Sequence, residues 1–291
     1  MKLKNLAFVS ILLLSISTTT GQWSKGKKNG YYKLSAWSLV SDQHYTDTGN
    51  IDPNATRGFF NLNFYGEYGI TDKLDIIAYV PFFSRTYQND QISGTTGEVI
   101  QQGEDLNGIG DSDISIRYGI LQKNNFAIAT TLKLGLPIGN DSGGSDGSFQ
   151  TGDGEFNQHI QLDFGIPFTI KKTPLYAKTY FGYNNRTQDF SDELHFGGET
   201  GISFWNKKIW LIGRLNAVQS LQNGDKSAQN AQGSIFANNI EYTSVGGEIA
   251  YYITKKFGIS FTYTSTISGR IIYANPSISG GIFLNIKKQS K

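Results

Sequence analysis

Hydrophobic and polar residues alternate along most of the chain, and the segment from Gly108 to Phe168 shows this pattern most clearly. Successive side chains of a β-strand point to opposite faces, so a period of two predicts strands with one apolar face. In each run of this segment one parity is apolar: Ile114, Ile116, Tyr118 and Ile120; then Phe126, Ile128, Leu132, Leu134, Leu136 and Ile138; then Phe156, Ile160, Leu162, Phe164, Ile166 and Phe168.

The alternating runs are about 11 to 14 residues long, whereas an ordinary strand has about 5 to 6. A tilted strand needs about 9 to 11 residues to cross a bilayer. In an outer-membrane barrel the apolar face contacts lipid and the polar face lines the lumen. Strand length therefore favours a barrel. A secreted soluble β-sandwich is the alternative, and solubility without detergent would reveal it.

The whole pattern predicts an all-β protein, an antiparallel up-and-down transmembrane β-barrel of about twelve strands. Short turns near Asp72, Lys123, Lys172, Lys207 and Lys255 alternate with mostly longer loops rich in Gly, Asp, Asn and Ser. This hairpin plan places the turns and both termini in the periplasm. The predicted strands cover 30–42, 56–70, 74–86, 108–121, 125–138, 155–168, 174–187, 193–205, 208–221, 238–252, 256–270 and 276–287.

The N-terminus has the three parts of a secretory signal peptide. A basic start, Met1–Lys4, precedes a short apolar core and then the small residues that end at Gly21. The apolar core is too short for a membrane anchor. We therefore expect a signal peptide over 1–21, a loose polar periplasmic lead-in over 22–29 and the transmembrane barrel over 30–291, in the outer membrane.

The amino-acid composition excludes several classes of function. The chain has 26 Lys and Arg against 24 Asp and Glu, a formal net charge of +2. That balance gives no reason to expect a nucleic-acid partner. The sequence has no cysteine, which excludes disulfides, thiolate nucleophiles and cysteine-bound metals.

The histidines argue against a hydrolase. Some outer-membrane barrels are lipases, whose chemistry needs a nucleophile such as Ser beside a His base. On a strand, that partner would lie two residues away on the same face. None of His44, His159 and His195 has such a serine. We therefore predict no enzymatic activity and no catalytic residue.

Two glycine-rich segments could suggest a cofactor or a metal, and neither has the full pattern. The loop Asn140–Ser148 is rich in Asp and Gly but lacks the ligand order of a calcium-binding loop. Gly108-Ile109-Gly110 lacks the third glycine and the helix of a dinucleotide site. We expect neither a cofactor nor a bound metal.

Charged residues of common parity predict the lining of the lumen. A Lys or Arg that faced lipid near the membrane midplane would cost about 2 to 4 kcal/mol, so charges should point inward. Both signs are similarly frequent, which fits structural ion pairs as well as a solute pathway. The predicted lumen-lining residues are Glu67, Asp75, Arg85, Asp113, Arg117, Lys133, His159, Asp163, Lys178, Arg186, Glu199, Arg214 and Glu248.

Two short motifs carry a resemblance to a known family. Gly108-Ile109-Gly110-Asp111 enters a strand, and Leu136-Pro137-Ile138-Gly139-Asn140-Asp141 follows the next one. They resemble the Gly-x-Gly-Asp and Leu-Pro-Thr-Gly-Asp signatures of an outer-membrane family named after the meta-pathway of phenol degradation, although Ile138 replaces the usual Thr. The resemblance implies a barrel that transports aromatic or other apolar compounds.

The last predicted strand resembles the C-terminal strand by which the outer-membrane assembly machinery recognises its clients. That signal usually ends on an aromatic residue, whereas here Lys287–Lys291 follows. We expect outer-membrane lipid, a small solute and this machinery as partners. The favoured function is a channel that passes small solutes by passive diffusion. The alternative is a non-transporting barrel with an occluded lumen, which would serve as a surface receptor, an adhesin or a structural element.

Overall fold

The protein folds as a closed barrel of antiparallel strands in a computed structural model that describes residues 24–123, 125–227 and 233–288. The expected signal peptide and the first two residues of the lead-in lie outside these ranges. The strands are β1 (Gly30–Tyr45), β2 (Ile51–Gly69), β3 (Leu74–Gln88), β4 (Gln91–Ile92), β5 (Val99–Gln101), β6 (Glu104–Gly108), β7 (Ser112–Gln122), β8 (Ala127–Leu136), β9 (Asn157–Ile170), β10 (Thr173–Asn185), β11 (Glu193–Phe204), β12 (Ile209–Ser220), β13 (Glu241–Tyr252), β14 (Phe257–Arg270), β15 (Ile272–Tyr273) and β16 (Ser277–Ile286).

Twelve of these strands are long and form the barrel wall, as the sequence predicts. The first and last strands close it: Lys33 of β1 lies opposite Tyr65 of β2 on one side and opposite Phe283 of β16 on the other. The remaining neighbours follow chain order, and every pair is antiparallel. Among the described residues, no helix is long and apolar enough to cross a membrane.

The outer face of the wall is apolar, which confirms the predicted parity. Ile116, Ile160 and Phe261 are each more than half exposed on the isolated barrel. Apolar side chains with this exposure on a closed barrel form the lipid-facing band of an outer-membrane protein. The polar parity of the same strands points into the lumen, where the function of the barrel must be sought.

Phe164 offers a direct test of this band. It lies in the middle of β9 and is 43% exposed. We expect Phe164→Lys to destabilise the membrane-inserted barrel by about 2 to 4 kcal/mol, because it places a charge in hydrocarbon. Urea unfolding of the protein refolded into lipid vesicles measures this. Gln161→Lys, whose side chain faces the lumen beside Asp163, is the matched control. An equal loss of unfolding free energy in both variants would contradict the assignment of one side chain to the lipid face and the other to the lumen.

A bulge in β3 corrects one predicted position. Leu62 of β2 pairs with Phe83, but Phe64 pairs with Val80, so β3 contains one extra residue here. The extra residue reverses the parity of the rest of the strand. Arg85 consequently points outward and pairs with Asp105 at 3.0 Å, with the two side chains 47% and 42% exposed. The lumen-lining prediction for Arg85 is wrong, because a strict period of two does not survive a bulge.

Candidate functional site: the barrel lumen

A cavity of about 700 Å³ occupies the lumen near the short turns, which is the periplasmic end of an outer-membrane barrel. We call it the lower cavity. Inward-facing side chains of β1–β3, β10–β14 and β16 line it. Its charged lining residues are Lys25, Lys33, Glu67, Lys178, Glu199, Arg214 and Glu248, and its aromatic ones are Tyr31, Tyr65, Tyr79, Tyr176, Trp210, Tyr252 and Phe283.

Five of these charges form a continuous row along one wall, the charge ladder. The Lys178 Nζ lies 3.3 Å from Glu199 Oε1, and Arg214 Nε donates to Glu199 Oε2 at 2.6 Å. The other end of the guanidinium reaches Glu248 at 2.7 Å, and Lys33 Nζ lies 3.4 Å from the same carboxylate. Lys178 faces Glu199 directly across the strand pair, and Glu199 faces Arg214 in the same way. Cations and carboxylates therefore alternate along the ladder.

A second group of charges, the floor network, lies on β2, β3 and β7. Arg117 bridges Glu67 at 3.1 Å and the fully buried Asp75 at 3.0 Å. Lys25 adds a second cation to Glu67, with Nζ 2.7 Å from its carboxylate. The Tyr65 hydroxyl also donates to Glu67. Each carboxylate therefore has more than one donor, as a buried charge requires.

The N-terminal segment Ser24–Asn29 packs into the lower mouth of the barrel, which corrects the expectation of a loose lead-in. The backbone N–H of Lys25 donates to both oxygens of Asp75, at 3.0 and 2.9 Å. Ser24 is buried and donates to the carbonyl of Asp72, while Lys28 donates to that of Gly69. A Cβ at Gly69 would come within 1.9 Å of the Gly26 carbonyl oxygen, so only glycine allows this approach.

Four further predicted residues lie on the wall formed by β7, β8 and β9. Lys133 is 3.8 Å from Asp113, and Asp163 accepts from Thr131 and Gln161. The fourth, His159, is only 4% exposed, and neither ring nitrogen has a hydrogen-bond partner among the described residues. Its ring packs 4.7 Å from that of His195, in space that Gly182 leaves open.

Arg186 lies at the long-loop end of the barrel and not beside the lower cavity. It pairs with Glu155 at 2.7 Å, with Glu193 at 2.7 Å and with Asp153 at 3.1 Å. Glu155 and Asp153 belong to the loop that joins β8 to β9, so this cluster ties that loop to the start of β11. Sequence reasoning missed these acidic partners, because no period marks a loop residue as a neighbour of Arg186.

The cluster around Arg186 also predicts that the stability of the loop between β8 and β9 depends on pH. Burial and the neighbouring Asp111 carboxylate raise the pKa of Asp153 to about 7, although Arg186 acts in the opposite direction. Burial likewise raises the pKa values of Asp111 and Glu155. A carboxyl whose pKa is higher in the folded loop than in the unfolded chain stabilises the fold at low pH. That contribution is lost as the pH rises from about 4 through 7.

We therefore expect the loop between β8 and β9 to be cut faster by protease at pH 8 than at pH 6, after correction for the pH dependence of the protease. Asp153→Asn keeps the shape of the side chain and removes its titration, so it should flatten this dependence. Limited proteolysis of the folded barrel between pH 5 and 9 measures both. The same pH profile in Asp153→Asn as in the parent would contradict this assignment.

The upper half of the lumen is narrowed by an apolar insertion. Ile235 and Phe236, from the loop before β13, pack against an inward-facing cluster of Leu39, Phe59 and Tyr273, and so does Trp37. Two cavities, of about 420 and 470 Å³, lie beside the insertion, and both are lined by Trp37 and Ile235. Ser35, Tyr79 and Ser279 line both the smaller of these cavities and the lower cavity. The three cavities therefore adjoin one another along the barrel.

The structure thus sorts the predicted lumen set. Three of its residues lie in the floor network: Glu67, Asp75 and Arg117. Four belong to the charge ladder, namely Lys178, Glu199, Arg214 and Glu248, and four lie on the wall of β7–β9, namely Asp113, Lys133, His159 and Asp163. Arg186 lies at the long-loop end of the barrel, and Arg85 lies on its outer face. Sequence reasoning missed Lys25, Lys33 and the lumenal tyrosines. The shared parity of Tyr31, Lys33 and Ser35 in β1 is the signal that could have identified Lys33.

The solved structure of an outer-membrane channel agrees with this architecture. The barrel is similar to the crystal structure of an outer-membrane channel from Pseudomonas putida F1, with a TM-score of 0.57 and 12% identity, over 89% of this chain and 96% of that one. The β domain of the Bordetella autotransporter BrkA aligns with a TM-score of 0.49 and 14% identity, over 89% and 100% of the two chains. At 12% identity the likeness to the channel concerns the fold alone.

No protein-family model matches the sequence, and no curated protein matches it either. The motif resemblance to the phenol meta-pathway family therefore stays an expectation. The closed barrel with its apolar belt, and its likeness to a solved channel, identify an outer-membrane β-barrel with a channel-like fold in contact with membrane lipid.

Proposed function

We propose that this outer-membrane barrel is a channel that passes small solutes through its lumen by passive diffusion. The observation that carries the proposal is the set of three adjoining cavities: one of about 700 Å³ near the short turns, and two of about 420 and 470 Å³ beside the insertion in the upper half of the lumen. Polar and aromatic side chains line them, as expected for a pathway that solutes enter from water. The motif resemblance implies aromatic or other apolar solutes, and the lining of the upper cavities by Trp37, Leu39 and Ile235 supports that class.

The pairing of charges in the lumen predicts weak discrimination between anions and cations. The ladder contains three cations and two carboxylates, and the floor network contains two of each. Each carboxylate is paired with at least one cation, so neither sign dominates the field along the pathway. Selection by size and by contact with the rings is therefore expected to outweigh selection by charge.

Single-channel conductance of the mature chain, from about Gln22, refolded into planar bilayers tests the proposal. Steady ohmic steps are expected, and liposome swelling with solutes of graded size should then define the width of the path. Heat-modifiable gel migration confirms folding in the same preparation. Silence from protein that is folded and inserted would overturn the proposal.

A barrel that does not transport is the second candidate, and the two inward-packed segments favour it. Ser24–Asn29 fills part of the lower mouth, and Ile235 with Phe236 fills part of the upper lumen. In that case the protein would be a surface receptor, an adhesin or a structural element. Solute flux through proteoliposomes would exclude this candidate. For either function we propose that the outer-membrane assembly machinery recognises β16, which closes the barrel against β1.

A further inference from the structure

Flat aromatic surfaces occupy one part of the lower cavity. The ring centroids of Tyr176 and Trp210 lie 5.8 Å apart, and those of Tyr31 and Phe283 lie 5.7 Å apart in a stacked arrangement. Gly201 makes room for Tyr176, because a Cβ there would come within 2.2 Å of the tyrosine ring. The rings are thus held by packing. They offer apolar faces that a planar or ring-shaped solute can cover.

The charge ladder lies directly beside these rings. The Tyr176 hydroxyl donates to Glu199 at 2.6 Å, and Arg214 lies between Glu199 and Glu248. Ammonium and guanidinium groups only donate hydrogen bonds, whereas carboxylates only accept them. Because cationic donors and carboxylate acceptors alternate along the ladder, a solute hydroxyl placed against it has a donor and an acceptor side by side. Such charge-assisted hydrogen bonds are the stronger ones.

This combination discriminates between classes of solute. A purely apolar molecule would remove water from the ladder without replacing its hydrogen bonds, which is costly. A simple anion would find each ladder cation already paired with a carboxylate, at 2.6 to 3.4 Å. A phenol brings a single hydroxyl. A ring with several hydroxyls can bond along the ladder while its C–H face covers an aromatic ring.

We infer that the lower cavity is a binding site for neutral saccharides of one or two rings. Its volume of about 700 Å³ is that of a site for a small ligand. Thr262 and Ser279, which also line it, add hydroxyl groups on the wall between Glu248 and Lys33 of the ladder. The inference rests on the proposed channel function, but in the lower half of the lumen it replaces the apolar solute class that the motif resemblance implies with a polar, ring-shaped one.

Isothermal titration of the detergent-solubilised mature protein tests the site without requiring conduction. The probes are maltose and glucose, with phenol and benzoate as the competing classes. Saturable binding of maltose, weaker binding of glucose and no saturation by phenol or benzoate over the same concentration range are expected. Trp210 lies in the cavity, so maltose should also change the tryptophan fluorescence.

Two variants identify where the saccharide binds. Trp210→Leu removes a stacking surface and should weaken maltose binding roughly tenfold, a typical effect of losing one good contact. Glu248→Gln removes a charged acceptor and should weaken it as well. Phe181→Leu, on the lipid-facing side of β10, is the matched control and should bind as the parent does. Heat-modifiable migration verifies that each variant is folded.

The outcomes separate this inference from the proposed function. A folded protein that binds phenol or benzoate but neither saccharide overturns the inference, as does maltose binding that is unchanged in Trp210→Leu. Ohmic conductance without saccharide binding supports the channel function and contradicts the saccharide site. Saccharide binding by a protein that is silent in bilayers supports the site and contradicts the channel.

Discussion

Arg117→Met is expected to destabilise the barrel by about 3 to 5 kcal/mol, because it leaves buried carboxylates without their shared cation. Arg117 contacts Glu67 and the fully buried Asp75, and its own side chain is only 14% exposed. Methionine keeps much of the volume of the arginine stem, so the loss is chiefly that of charge pairing. Urea unfolding of the variant refolded into lipid vesicles measures the effect.

Arg85→Met is the matched control for that experiment. Both arginines lie on barrel strands, and the sequence pattern assigned both to the lumen. The structure turns Arg85 outward, into an exposed pair with Asp105. Exposed pairs contribute about 0 to 1 kcal/mol, so this variant should unfold nearly as the parent does. Equal losses in the two variants would contradict the inward position of Arg117 or the outward position of Arg85.

Removal of residues 22–28 from the mature chain is expected to raise the single-channel conductance severalfold. The described part of that segment lies in the lower mouth of the barrel, held by the Asp75 carboxylate and by the carbonyls of Asp72 and Gly69. Arg117 still pairs with Glu67 and Asp75 after the deletion, so the barrel itself should stay folded. A wider mouth then offers less resistance to ions.

Lys25→Ala is the matched variant for the deletion. It removes the contact with Glu67 but keeps the backbone N–H that binds Asp75, so its conductance should change much less. Because the chain has no cysteine, Ser24→Cys introduces a single thiol. That thiol should react slowly with a maleimide in the folded barrel, since Ser24 is buried. Fast labelling, or unchanged conductance of the deleted chain, would contradict the packed position of the segment.

The sequence alone was sufficient for the barrel, its twelve long strands and the parity of its lipid-facing side chains. Each of these follows from the alternation of apolar and polar side chains along a strand. That alternation depends only on neighbouring residues, so it does not depend on which strands pair with one another. The same parity placed Glu199, Arg214 and Glu248 on the inner face, where the structure joins them into the ladder.

Only the tertiary structure decided which inward charges meet and how the lumen is filled. Lys33 and Glu248 are 215 residues apart, and closure of β1 onto β16 brings them within 3.4 Å. The bulge in β3 inserts one extra residue, which turns Arg85 outward. A strict alternation of apolar and polar residues does not reveal such an insertion. The N-terminal segment and the Ile235–Phe236 insertion have no period of their own. Their positions depend on Asp75 and on the apolar inner surface around Trp37, which exist as binding surfaces only after the barrel has closed.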